Sequence, residues 1–118
     1  MNDNILMENA ITFAAKIVKL REQLIAEKGE ILISDHIAES AAKIGVLVSE
    51  ANYAKSRAEH IDKLRDALTK AAETEYWIKL LCTAEYIDFE THGKLIEDCM
   101  DVKRSIIAAI NAAREGAR

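Results

Sequence analysis

The amino-acid sequence predicts an all-α fold, an antiparallel up-down-up-down four-helix bundle, and three observations carry that prediction. Proline is absent from the 118 residues and glycine occurs four times, so little interrupts helix along the chain. Apolar residues recur at helical spacing through four long segments. The junctions between those segments are a few residues each, and connections that short make successive helices turn back antiparallel on one another.

The first helix runs from about Ile5 to Lys28, with Asn4 or a neighbour available as its cap and Gly29 as the left-handed residue that ends it. The second runs from about Ser34 to Tyr53. The third opens at Ser56-Arg57-Ala58-Glu59 and continues to about Ala84. That opening is a capping box, in which serine and glutamate side chains satisfy each other's orphan backbone donors. The fourth follows Asp88, a second capping residue, and reaches about Arg114. At 1.5 Å per residue the helices are roughly 30 to 42 Å long, similar enough to pack along their whole length. No repeat, low-complexity stretch or linker divides the sequence, so residues 1–118 read as one domain.

The third helix carries a heptad seam, His60, Leu64, Ala67, Ala71, Thr74, Ile78 and Leu81, that faces the bundle core. In the second helix the core stripe is Ile33, Ile37, Ala41, Ile44, Val48 and Ala51. Beside it lies a second stripe of His36, Ser40, Lys43, Leu47, Glu50 and Ala54. On the third helix Glu73, Trp77, Leu80 and Ala84 likewise fall off the seam. The first helix is apolar over about half its circumference: Ile11, Ala14 and Val18 form one stripe, and Ala10, Phe13, Ile17, Leu20 and Leu24 extend it. A bundle helix needs an apolar arc only a little over ~100° wide. Two readings of the surplus stand: the extra stripes pack against neighbouring helices within the monomer, or they meet other subunits.

Sixteen Lys and Arg against twenty Asp and Glu give a net charge of −4. The chain as a whole is not drawn to a polyanion, and only a local basic patch would engage nucleic acid. The candidate basic pairs are Lys16 and Lys19, Lys55 and Arg57, and Lys103 and Arg104, each of which also reads as ordinary solvated helix surface. No apolar run approaches the ~20 residues that span a bilayer, and the start "MNDNILMENA" lacks the basic and apolar regions of a signal peptide. The expectation is a cytoplasmic protein with no membrane partner. Cys82 and Cys99 form no C-x-x-C pair and are expected as buried thiols.

A carboxylate-bridged metal centre in a bundle draws on Glu-x-x-His pairs, because spacing three puts both ligands on one helical face. Here the residues three before His36, His60 and His92 are Ile33, Arg57 and Phe89. No serine lies in a nucleophile-elbow context and no glycine-rich loop could hold phosphate. The expectation is therefore no catalytic residue, metal, cofactor or small-molecule substrate. His60 is expected as a hydrogen-bonded core residue. Glu50 and Glu73 are expected to pair with Lys43, Lys63 or Lys70 in a partly shielded network that fixes register or partner choice.

Three strings on the second and third helices, "KIGVLVSEA" (43–51), "SRAEHIDKL" (56–64) and "AAETEYWIKLL" (71–81), resemble the bacterial four-helix bundle protein family. That family includes proteins encoded within intervening sequences of 23S ribosomal RNA genes. It also includes the accessory variability determinants of diversity-generating retroelements. The similarity extends from "FAAKIVKL" (13–20) through the fourth helix, and the Glu-Thr-x-Tyr-Trp string is its most specific part. The resemblance implies a homopentamer without enzymatic activity, with signature positions at Ser40, Gly45, Glu50, Lys63, Glu73 and Trp77. The family commonly has Asn where this chain has Leu47, which alters any polar network through that position. Two functional expectations follow. One is a homo-oligomeric assembly or adaptor module, whose partner is RNA or a nucleoprotein. The alternative is an accessory protein that binds nucleic acid directly. For the oligomer, held in part by the second faces of the first three helices, Leu47, Glu73, Trp77 and Leu80 are expected at or near the subunit contact.

Overall fold

The computed structural model describes residues 2–116, with side chains from Ile5 onward. Its helices are α1 (Asn2–Lys28), α2 (Leu32–Asn52), α3 (Arg57–Thr83) and α4 (Phe89–Glu115). Each packs on its neighbours in sequence and α4 closes back on α1, while among the described residues the backbones of the diagonal pairs stay further apart. The result is the expected up-down-up-down bundle, a rod of 52 × 21 × 19 Å.

The helix ends follow from identifiable side chains. Gly29 ends α1 at φ 67°, its amide donating to Ile25 O at 3.1 Å. Ser56 Oγ caps α3 by accepting from Glu59 N at 3.0 Å, and Asp88 caps α4 by accepting from Thr91 N at 2.8 Å. The capping box is shifted from its expected form, because the Glu59 carboxylate accepts from the amide of Lys55 rather than that of Ser56. Helix α1 begins at Asn2, so Asn4 lies within it rather than before it.

Helix α2 begins two residues earlier than the sequence predicts, and Glu30 is the reason. Its N-cap, Ile31, has no side chain able to cap. Glu30 reaches forward instead: one carboxylate oxygen accepts from the Ser34 amide and hydroxyl, both at 2.7 Å, and the other from the Ile33 amide at 2.9 Å. Burial raises the Glu30 pKa, but the Ser34 hydroxyl and the two amides outweigh it and hold the carboxyl below its ordinary value.

The core runs the length of the rod. Ile17, Ile37, Ile44, Leu64, Ile78, Leu81 and Ile106 are fully enclosed, and each such side chain contributes about 1.5–3 kcal/mol by leaving water. The expected seam of α3 is buried from Leu64 to Leu81, while His60 is half-buried and its Nδ1 lies 2.7 Å from Ala51 O. In α2 the buried arc is wider than the predicted stripe. Leu47 is 5% exposed and belongs to the monomer's own core, so its expected place at a subunit contact is corrected. Helix α2 packs on both α1 and α3, and with two neighbours it buries Ser40 and Leu47 beside the predicted stripe, while His36 and Glu50 stay exposed. In α1 the two stripes separate: Phe13, Ile17, Leu20 and Leu24 enter the core, while Ile11 and Val18 remain 58% and 40% exposed.

Candidate functional site

The groove between α2 and α3 is the most extensively packed of the four seams and gathers most of the off-seam residues. Ser40 and Thr74, both buried, meet across it with their hydroxyl oxygens 2.8 Å apart. The Ser40 hydroxyl also lies 3.0 Å from Ile37 O, and that of Thr74 lies 2.9 Å from Lys70 O. Whichever hydroxyl donates across the seam, the other donates to its own helix, so both protons are used. One turn along, the His36 ring stacks on the Trp77 indole, centroids 4.8 Å apart and planes within 12°. Tyr76 meets the same indole edge-on at 5.2 Å. Spacing explains the juxtaposition: His36 and Ser40 share one face of α2, as Trp77 and Thr74 share one of α3. His36, Ser40 and Trp77, together with Glu39, Lys43, Lys70 and Glu73, line a pocket of about 270 Å³.

Two ion pairs lie along this seam. Lys70 reaches Glu73 at 3.2 Å, and Lys63 reaches Glu50 of α2 at 3.0 Å. The hydrogen bond from Lys63, and then its charge, hold the Glu50 carboxyl below its ordinary value. The same bond raises the Lys63 ammonium. On the next seam Glu75 bridges Lys103 at 2.7 Å and Lys79 at 3.1 Å, and those two bonds lower its carboxyl. Cys99 is buried behind them, its thiol 3.3 Å from Ala71 O and pushed up to about 11 by desolvation. Each of these acids faces a cation and each of these hydroxyls has a partner. Such an arrangement can fix helix register and present a mixed-charge surface.

Of the expected site residues, the structure brings Ser40, Glu73 and Trp77 to one pocket, with Glu50 and Lys63 further along the same seam. Leu80 is half-buried, and Trp77 is half-buried against the monomer's own core. Gly45 lies on another flank of α2, where an added Cβ would meet nothing within 4 Å. Four of the six expected basic residues carry compensated charge: Lys16 pairs with Asp98, Lys19 with Glu22, Lys103 with Glu75 and Arg104 with Asp101. Lys55 and Arg57, exposed at the α2–α3 turn, make no ion pair among the described residues. Cys82, expected to be buried, is only half-buried.

Among the described residues no three His, Cys, Asp or Glu side chains gather closely enough to hold a metal ion. No helix among them is long and apolar enough to cross a membrane.

Fold and groove together define the class: an antiparallel four-helix bundle with a polar, ion-paired seam between its second and third helices. The chain belongs to the 23S rRNA-intervening sequence protein family, whose family model matches residues 2–108. It is also similar to a crystal structure of a protein of unknown function from the S23 ribosomal protein family of Bacteroides thetaiotaomicron. The two share 38% identity over 94% of this chain and 99% of that one, with a TM-score of 0.91. Among curated proteins no relative matches.

Proposed function

We propose that this protein is a non-enzymatic, homo-oligomeric scaffold that acts in the cytoplasm as an assembly or adaptor module, with five subunits as the number its family resemblance implies. The observation that carries the proposal is the outer stripe of α1. Ile11, Ala14 and Val18 continue Met7 at heptad spacing and leave Ile11 and Val18 largely in water. Arg21, further along the same flank, pairs with Asp35 of α2 at 2.7 Å and sets the register of the two helices. By that register, ten residues back along α1 and ten on along α2, Ile11 stands level with Gly45, whose chain neighbour Val46 is also exposed. An uncharged apolar strip spanning two helices is the kind of surface that a like subunit covers.

Light scattering and native mass spectrometry test it. Wild type is expected as an oligomer at micromolar concentration, and Ile11→Lys with Val18→Lys as a folded, fully helical monomer. Ile5→Lys, exposed on a different flank of α1, is expected to leave assembly intact. A monomeric wild type, or an intact oligomer in the double variant, overturns the proposal.

Lys55 and Arg57 support the second reading, direct binding of nucleic acid. A ring repeats an uncompensated pair once per subunit, and weak contacts act together. Binding of that kind is expected to tolerate sequence and to fall steeply with salt. Affinity indifferent to ionic strength, or unchanged in Lys55→Ala with Arg57→Ala, would exclude it.

A further inference from the structure

The α1–α4 side of the bundle is closed at one end and open at the other. Asn9 donates to Ser105 at 3.1 Å and Lys16 pairs with Asp98 at 3.0 Å, both in the same antiparallel register. Seven residues on, that register brings Gln23 level with Thr91, and there the two helices line a cleft of about 860 Å³. The connection that frames it is held in place. Helix α3 ends in a Schellman motif, with Tyr86 N donating to Leu81 O at 2.8 Å, Glu85 N to Cys82 O at 3.0 Å, and Glu85 itself at φ 69°.

The lining is apolar inside and acidic at the edge. Leu20 and Leu24 of α1 line it together with Ile87 of the connection, and Phe89, 86% exposed, belongs to the same lining. Glu27, Glu85 and Asp88 bring three negative charges to it, against the single positive charge of Lys28.

We propose that this cleft docks a short amphipathic helix of a different protein, one with an apolar face and lysine or arginine on its polar face. One wall is α1 and the other is the α3–α4 connection with the first turn of α4, so the opening continues the α1–α4 groove and accepts a further helix by ridge-and-groove packing along α1. From Leu20 to Lys28 the α1 wall is about 12 Å long, a little over two turns. The size falls within the range of formed binding sites, roughly 300–1,000 Å³. The acidic lining selects a basic occupant and opposes both nucleic acid and a second copy of this chain, whose net charge is −4. The cleft residues of α1 lie on the flank away from Ile11 and Val18, so docking does not depend on the assembly proposed above.

The test uses a fluorescent helical peptide of leucine and lysine, about four turns long, titrated against the full chain by anisotropy. Its controls are a scrambled peptide of the same composition and a version with glutamate for lysine. Cys82, half-buried in the cleft lining, reports occupancy through its rate of reaction with a thiol reagent, while buried Cys99 stays silent. The amphipathic basic peptide is expected to bind at least about tenfold more tightly than either control, to weaken with salt and to slow Cys82 modification. Glu27→Lys with Glu85→Lys, and separately Phe89→Ala, are expected to weaken it by about tenfold. Ile11→Lys with Val18→Lys is expected to leave it unchanged. Equal binding of the scrambled peptide, no binding, an unprotected Cys82, or indifference to the charge reversal overturns the proposal. A shift in oligomeric mass in Phe89→Ala would overturn it in favour of a second copy as the occupant.

Discussion

Removing the Glu30 carboxylate should cost this bundle about 2–3 kcal/mol, and the amount should depend on pH. In Glu30→Ala, α2 loses three short bonds to a charged acceptor, two from amides of its first turn and one from the Ser34 hydroxyl. Hydrogen bonds to a charged group are worth about 1.5–3 kcal/mol each, yet water can reach amides at a helix start and recover part of two of them. Ser34 is fully buried and its hydroxyl keeps no partner, which by itself costs about 1–3 kcal/mol. Glu30→Gln keeps one carbonyl acceptor and should lose about half as much. Because the folded pKa lies below the ordinary 4.5, the stabilisation is complete above that value and disappears as pH falls through the folded pKa. Urea unfolding followed by circular dichroism, at one fixed protein concentration, should give a constant gap between wild type and Glu30→Gln from pH 7 to about 5.5. The gap should narrow below about pH 4.5. A loss under ~0.5 kcal/mol in Glu30→Ala, or a gap as large at pH 3.5 as at pH 7, would refute the capping role.

Four further outcomes are expected. Glu85→Gly relieves a left-handed conformation that costs a side chain about 1–2 kcal/mol, and should raise stability by about 0.5–1 kcal/mol after glycine's entropy is counted; an unchanged or lower urea midpoint contradicts this. Gly45→Ala, a helix-interior site with open space around the new Cβ, should also gain about 0.5–1 kcal/mol, checked by thermal unfolding. Trp77→Ala should destabilise the monomer itself by about 2–3 kcal/mol, since the indole packs against its own core and His36; a normal unfolding curve would place the side chain outside that packing. With iodoacetamide at pH 8, Cys82 should be alkylated and Cys99 spared, and mass spectrometry after proteolysis distinguishes the two.

Helix number, order and the N-caps of α3 and α4 were legible because their determinants are local. Ser56 and Asp88 announce α3 and α4, and the α3 seam from Leu64 to Leu81 follows one periodic rule. Leu47 was misplaced because periodicity gives a direction on a helix without saying how many neighbours cover it, and α2 has two. Glu30 gave no signal, since caps are sought among short side chains at the N-cap itself, and this one acts from a residue earlier through a longer reach. Gly29 advertises its left-handed conformation, whereas Glu85 adopts the same one without any residue preference to show it. Interhelical pairs such as Lys16–Asp98, 82 residues apart, obey no local spacing, so the neutralisation of Lys16 and Lys103 emerges only from the packing, whereas Lys19–Glu22 and Asp101–Arg104 lie at the local i,i+3 spacing.

The incomplete α1–α4 side also shapes how the molecule moves. Seams α1–α2, α2–α3 and α3–α4 are the more extensive, so α1 and α4 are the helices less held by their neighbours across the bundle. Local opening free energies are lowest where buried apolar contact is sparse. Amide hydrogen exchange should therefore be graded along α1: slow near Phe13 and Ile17, where the core and the Lys16–Asp98 pair hold it, and faster from Gln23 to Lys28 beside the cleft. The last two turns of α1 would then open and reclose as a small cooperative unit while α2 and α3 stay shut, on a timescale set by that local seam rather than by global unfolding.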